Sequence, residues 1–441
     1  MGQERSPEER ARQAVEAAWR IEWPKLVAAL TTVVHDIDAA EELAQDALVA
    51  ALQQWPGDGV PPNPGAWLML TAKHRAYDRL RRDTTYAAKL AVLGRDLMIG
   101  PVEAPLPVGV DPDVGIQDDL LRMVFTACHP VLSPAARTAL TLRLVGGLTT
   151  DEIARAYLVP EPTVAQRIVR AKRAIADQHI PYEVPRGDEL PARLESVLEV
   201  IYLIFNEGYA ATSGHEWIRV ELMEDGLRLA RILAALMPDE PETHGLAALV
   251  ELQASRVPAR RGPAQPLVLL ADQDRARWDH LLIRRGFTAL GRAHALNRAR
   301  AVLPGRYALQ AAIAAAHAMA ASPEDTDWRR IAGLYAMLAD RFASPIVELN
   351  RAVAVAHVYG PAAGLELVEA VVGTGALDQY HLLHAVRGEL LDRLGRPDEA
   401  AAAFRRAAEH TSNEAERTFL VARATPPPAK NLSRNPRCRF K

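Results

Sequence analysis

Cysteine is scarce in this chain: two in 441 residues, Cys128 and Cys438, far apart and forming no CxxC pair. That speaks against a disulfide framework and a thiolate zinc site, and makes a reducing compartment, the cytoplasm, the expected one. No uninterrupted apolar run reaches the ~18 residues of a membrane span. The opening stretch MGQERSPEERARQ is charged and has no apolar core of the signal-peptide kind. GxxxxGK[ST], GxGxxG after a strand, HExxH and GxSxG are all missing, so no enzyme and no cofactor is expected. Of thirteen histidines, His381 and His384 would share a helix face, but with no third ligand they read as ordinary helix residues, and no metal site is expected. Strand-like alternation is missing as well. The best short extended candidate is Leu267–Leu270, which a buried helix segment would fit as well.

What is present is ordinary globular material, 49% hydrophobic and 24% charged with a net charge of -3, in a chain long enough for about three domains. The spacing predicts an all-α fold. Residues 11–82 read as helices: one around Val15, Ala18 and Trp19, a second from Pro24 with Leu26, Leu30, Val33, Val34 and Ile37 on one stripe, a third over 38–54, and a fourth over 66–82. WPGDGVPPNPG (55–65) is a loop by its Pro/Gly punctuation. Residues 83–115 lose periodicity and collect glycine and proline, which predicts a flexible linker. Residues 116–180 form a second compact helical unit, and 188–420 an Ala/Leu-rich helical extension, with a flexible tail over 421–441. Repeats are expected near 345–410. Gly388, Leu391, Ala400, Phe404 and Ala407 fit tetratricopeptide spacing, and Ala352, Val355, Gly364, Val368 and Val371 form a weaker copy 36 residues earlier.

The sharpest local signal is LTTDEIARAYLVPEPTVAQRIVRAKRAI, residues 148–175. Thr149 with Glu152 makes a capping box, Ile153, Ala154, Tyr157 and Leu158 supply a buried face, and Val159–Pro160 turns the chain. The next helix buries Val164, Ile168, Ala171 and Ile175 and leaves Thr163, Gln166, Arg167, Arg170 and Arg173 outside. With Lys172 it carries four cations and no acid between 162 and 176. A helix-turn-helix with a one-sided basic second helix suits the major groove, where side chains near its start reach base edges and arginines neutralise phosphates.

A second signal is a separation of charge. DAAEELAQDA (38–47) holds Asp38, Glu41, Glu42 and Asp46 with no base, while WLMLTAKHRAYDRLRR (67–82) holds Lys73, Arg75, Arg79, Arg81 and Arg82 against Asp78 alone. The first suits a basic protein surface and the second phosphate. Trp55 and Trp67 flank the loop between them, and aromatics beside a basic surface can stack on unpaired bases.

The run D-x-x-E-E-L-x-Q-D, a tryptophan-proline, a loop, P-x-A-W-L and A-x-H-R-A-Y-D-R-L-R-R resembles region 2 of the extracytoplasmic-function sigma factors of the sigma-70 family. V-P-E-P-T-V-A-Q-R-x-x-R-A-K-R resembles their region 4. FNEGY (205–209), LLADQDRARWD (269–279), EDTDWRRIAGLYAML (324–338) and the repeat-like end resemble the branch with a helical C-terminal extension. His74 stands where a small polar residue is frequent, and Pro162 replaces a glycine. The resemblance implies that Asp38, Glu41, Glu42, Leu43, Gln45 and Asp46 dock on the clamp helices of the largest subunit of core RNA polymerase. It implies that Asn63 and Trp67 meet the -10 element, that Lys73, His74, Arg75, Arg79 and Arg82 hold the adjacent strand, and that Thr163, Gln166, Arg167, Arg170, Lys172 and Arg173 read the -35 element of promoter DNA. The extension would be regulatory, with a protein partner of its own. Two other readings stay open: a transcriptional activator with repeat-like effector helices, which would have no need of the 38–82 block, and an adaptor acting through its repeats, which leaves both basic helices unexplained.

Overall fold

The structure, a computed structural model, describes residues 6–94, 112–211, 213–214, 218–260 and 268–425. Helices carry nearly all of it. In chain order they are α1 (Pro7–Val34), α2 (Ile37–Asp58), α3 (Pro64–Gly94), α4 (Pro112–Ala127), α5 (Pro134–Leu144), α6 (Thr150–Tyr157), α7 (Glu161–Asp177), α8 (Glu189–Tyr209), α9 (Val220–Leu236), α10 (Pro241–Ala254) and α11 (Val257–Arg260), followed by α12 (His280–Ala299), α13 (Arg306–Met319), α14 (Trp328–Arg341), α15 (Pro345–Tyr359), α16 (Pro361–Gly373), α17 (His381–Arg393), α18 (Pro397–His410) and α19 (Glu414–Ala424). Two compact units result: residues 1–204 with 231–236, and residues 205–230 with 237–441.

Proline placement corrects the sequence reading of the first unit. Pro24 does not open a helix. It lies inside a continuous α1 that a Ser6–Glu9 capping box starts. A mid-helix proline forfeits one backbone hydrogen bond. Here it lies beside Trp23, Leu26, Val27 and Leu30, all buried, and that burial outweighs the loss. The chain then turns sharply: His35 takes a left-handed conformation at φ 54°, and the Asp36 side chain accepts from Ala39 N to start α2. Pro56 is likewise inside α2, which runs on to Asp58, so the loop shrinks to residues 59–63. The expected linker also starts too early. The segment AAKLAVL (87–93) is rich in strong helix formers and α3 runs on to Gly94, while α4 begins at Pro112. Residues 95–111 and the tail from 426, with Cys438, lie outside the described residues.

Leu43, Ala47 and Ala51 of α2 and Leu68, Ala72 and Ala76 of α3 join the α1 stripe in one core. Met123 and Phe125 of α4 and Leu140, Leu142 and Leu144 of α5 are buried as well. The start of α8 is tied to the same unit. Arg193 donates to the Phe125 carbonyl at 2.9 Å, and the Ser196 hydroxyl donates to the Cys128 carbonyl at 2.6 Å. Cys128 is a free, buried thiol 3.2 Å from the Thr141 hydroxyl, and burial pushes its pKa up to about 12. It is a packing residue, not a nucleophile.

The second unit is built of paired helices, with one parallel two-residue ladder joining Ser213–Gly214 to Ser412–Asn413. Leu267–Leu270 is not a strand: Val268 and Leu269 are irregular, Leu270 opens a 3-10 turn, and residue 267 lies outside the described residues. FNEGY ends α8 as a packing motif. Phe205 stacks on Tyr209, Glu207 pairs with Arg219 at 2.8 Å, and Gly208 lets the Met223 backbone approach. α15 with α16 and α17 with α18 form the two tetratricopeptide-like hairpins. Gly388 admits the Phe404 ring, whose atoms lie 3.0 Å from where a Cβ would stand. Gly364 likewise admits Ala356, and Ala352, Val368, Val371, Leu391, Ala400 and Ala407 fill the shared core. Phe404→Ala would empty the centre of that core and lower the stability of this unit by ~3–5 kcal/mol. Chemical denaturation followed by circular dichroism checks this, with Val355→Ala, at a half-buried position, costing much less.

Candidate functional site

α6 and α7 form the helix-turn-helix. Thr149 and Glu152 satisfy each other's backbone N–H groups at 3.2 and 2.8 Å, Leu158 closes α6 at φ 51° and is exposed rather than on the buried face expected of it, and Pro162 sits in the first turn of α7. Val164, Ile168, Ala171 and Ile175 are buried, while Gln166, Arg170 and Arg173 are exposed and Thr163 and Arg167 half-exposed. Arg173 bonds Asp177, one turn on, at 3.3 Å. This outer face is cationic and open, the form a groove-binding helix needs.

Lys172 is not part of that face. Its side chain is 12% exposed and points to the start of α2, where the ammonium donates to Asp38 at 2.6 Å and to Glu41. Arg143 of α5 reaches the same carboxylate, its Nε 2.9 Å from Glu41 Oε1, and also donates to the Leu148 carbonyl at 3.3 Å. Its guanidinium lies over the Trp23 ring at 5.2 Å. Glu41 is thus a carboxylate only 8% exposed, shared by two cations from the helix-turn-helix unit. Burial alone would lower the Lys172 pKa, but Glu41 and Asp38 outweigh it and raise it above the ordinary lysine value. The ammonium therefore stays charged through neutral pH, and its stabilising contribution is lost only as pH rises through the raised value.

Further contacts join the two parts. The Thr32 hydroxyl donates to Asp119 Oδ1 at 2.7 Å, and the Tyr182 hydroxyl lies 3.1 Å from the Ala28 carbonyl and 3.0 Å from that of Asp119. Burial pushes the Tyr182 hydroxyl well above the usual phenol range and also raises Asp119, against the opposing pull of Thr32 and Arg122. Arg143, Tyr182, Thr32 and Asp119 were not candidates from the sequence. Each pairs with a residue far along the chain, which no local pattern signals.

The acidic and basic helices of the first part also face each other. Arg79 bonds Glu42 at 2.7 Å and Arg75 lies 3.5 Å from Asp46, around an open groove of about 420 Å³ lined by Glu42, Leu43, Asp46, Arg75, Arg79 and Arg82. Glu42 and Asp46 are 66% and 54% exposed, and Asp38 75%, so these carboxylates remain reachable. Leu43 is largely buried, Gln45 and His74 are exposed, and Lys73 is half-buried. Asn63, expected at a base, is exposed and caps α3 by accepting from Ala66 N at 3.0 Å. Trp67 meets Trp55 edge-on, with ring centroids 5.5 Å apart, which leaves Trp67 half-buried and Trp55 in the core.

In the second unit the two remaining motifs build one polar-aromatic core. Arg275 donates to the carbonyls of His317 and Ala320 at the end of α13, at 2.7 and 2.6 Å, and to Thr326. Arg256 and Arg275 flank the Trp278 ring, and Trp328 stacks on His357 with centroids 3.7 Å apart. Burial, then Arg256 and Arg275, push His317 down to about 3, so it is neutral. His381 bonds Glu416 at 3.0 Å and His384 the Asp378 carbonyl at 2.9 Å. Among the described residues no group of three or more His, Cys, Asp or Glu is arranged to hold a metal, and no helix is long and apolar enough to cross a membrane.

Comparison with known proteins matches residues 22–85 to sigma-70 region 2, residues 122–175 to sigma-70 region 4, and residues 193–294 to a family of unknown function, DUF6596. An uncharacterized protein of Rhizobium meliloti (strain 1021) is 40% identical over 399 residues, covering 90% of this chain and 92% of the relative.

The buried and exposed acids of α2 differ in what they hold. Glu41→Ala would leave two cations short of their shared carboxylate and cost about 3 kcal/mol. Glu42→Ala breaks only a solvated pair and would cost less than about 1 kcal/mol. Urea denaturation of the two variants checks the difference, and equal costs would contradict the assigned burial.

Proposed function

We propose a promoter-selecting role for this chain, which belongs to the sigma-70 family as an extracytoplasmic-function-like factor with a C-terminal extension. Region 2 and region 4 mark a sigma factor that works with core RNA polymerase and promoter DNA in transcription initiation. The finer assignment rests on the two charged surfaces. In this reading α2 meets the polymerase clamp helices through Asp38, Glu41, Glu42, Gln45 and Asp46. Leu43 supports that face from beneath.

α3 then holds the -10 strand with Lys73, His74, Arg75, Arg79 and Arg82. The solvated pairs Arg75–Asp46 and Arg79–Glu42 oppose this weakly, since exposed pairs are worth only ~0–1 kcal/mol. Asn63 acts by fixing the start of α3, and the half-buried Trp67 offers the open part of its ring to an unstacked base. Extruding a base costs a few kcal/mol, which stacking on an aromatic ring offsets in part.

α7 reads the -35 element with Thr163, Gln166, Arg167, Arg170 and Arg173. The observation that carries this is the helix itself: its apolar stripe faces inward, and its outer face is cationic, with no acid between 162 and 176. The extension acts in regulation. The attachment of its first helix to α4 and the segment after it, through Arg193 and Ser196, supports that reading. The cytoplasm, where polymerase and chromosome meet, is the place of action.

Run-off transcription on promoter fragments tests the promoter-reading part. Arg170→Ala should weaken productive binding at promoters bearing the cognate -35 element by ~1–3 kcal/mol. Equal loss on unrelated sequences would make Arg170 a phosphate contact. No loss would remove α7 from promoter reading.

A further inference from the structure

We propose that the free protein is self-closed: region 4 covers the core-binding acid of region 2 through Lys172 and Arg143 on Glu41, and polymerase binding requires that contact to open. The proposal deepens the sigma reading and rests on it. Glu41 belongs to the acidic helix assigned to the polymerase, yet only 8% of its side chain is exposed, because two region-4 cations lie on it. No incoming basic surface can reach that carboxylate while Arg143 Nε is 2.9 Å away and Lys172 bridges it to Asp38.

The contact is a latch with a backing. Asp119 of α4 bonds Thr32 of α1, and Tyr182, just beyond α7, sits between the Ala28 and Asp119 carbonyls. These hydrogen bonds fix the approach of region 4, and the ion pairs to Glu41 fix its register. A buried carboxylate left without its cations is costly, so the latch has two favourable settings. In one, Glu41 is paired with Lys172 and Arg143. In the other, cations supplied by the polymerase take their place. An intermediate with Glu41 bare is disfavoured.

The closure is one-sided. Gln166, Arg170 and Arg173 stay exposed on the outer face of α7, and Glu42 and Asp46 stay exposed on α2. A closed molecule can therefore still meet DNA through region 4, and can meet polymerase through part of α2, but it cannot complete the polymerase contact. Apparent affinity for polymerase is then reduced by the fraction of molecules that are open.

Zero-length carbodiimide cross-linking of the full chain, mapped by mass spectrometry, reads the latch directly, because Asp38 is 75% exposed to the reagent and touches the Lys172 ammonium. The free protein should give a Lys172–Asp38 or Lys172–Glu41 cross-link that disappears with saturating core polymerase. In parallel, a Lys172→Met, Arg143→Met variant of the full chain should bind core polymerase about tenfold more tightly than the wild type. No cross-link in the free protein, or one that persists undiminished in the complex, overturns the closure whether or not the variant folds. A wild type that binds polymerase as tightly as a folded double variant overturns the closure and leaves the sigma reading intact. If neither protein binds polymerase, the sigma reading itself fails, and the closure with it.

Discussion

A single carboxylate organises the first unit. Glu41 is buried, and a buried charge is tolerated only where its partners return what desolvation takes. Arg143 from α5 and Lys172 from α7 both converge on it, and each has a second anchor, Leu148 and Trp23 for the arginine and Asp38 for the lysine. Two cations from different helices can meet one carboxylate in few arrangements. The ion pairs therefore decide which of the many ways of stacking two small helical bodies is adopted, while Tyr182 and Asp119 hold the approach.

That arrangement divides the charged surface into a committed part and a free part. Exposed pairs such as Arg79–Glu42 cost little to exchange for a partner, so the groove between α2 and α3 stays available. The outer face of α7 is equally available. Glu41 and Lys172 are committed to each other, and they are the two positions at which assignments for different partners collide. A protein that must engage polymerase and DNA together gains from keeping one of those engagements conditional. The arginines of the extension do different work: half-buried Arg275 closes the end of α13 and buried Arg256 packs on Trp278, so their charge holds helices together.

Much of this was legible in the residues. The capping box at Thr149, the inward stripe of Val164, Ile168, Ala171 and Ile175, and the choice of Gly388 and Phe404 as repeat positions follow from spacing alone, because each is a local or near-local pattern. The prolines misled. Pro24 and Pro56 lie within helices because the burial of Trp23, Leu26 and Trp55 overrides local propensity. Asn63 is a helix cap, a role that Asn–Pro at a loop end already suggests, although base capture was expected of it. Lys172 flanks the buried stripe and by composition belongs with the arginines of α7. Its partners lie 134 and 131 residues earlier, beyond any periodicity, and only the folded chain brings them together.

α2 is the surface we assign to core polymerase, and its exposed acids test that assignment most directly. Glu42→Lys with Asp46→Lys changes two side chains that are 66% and 54% exposed, so the helical circular dichroism should be unchanged. Co-purification of the full-length chain with core RNA polymerase is the measurement. The wild type should be retained and the doubly reversed protein lost. Undiminished retention of a folded, charge-reversed protein would contradict the account.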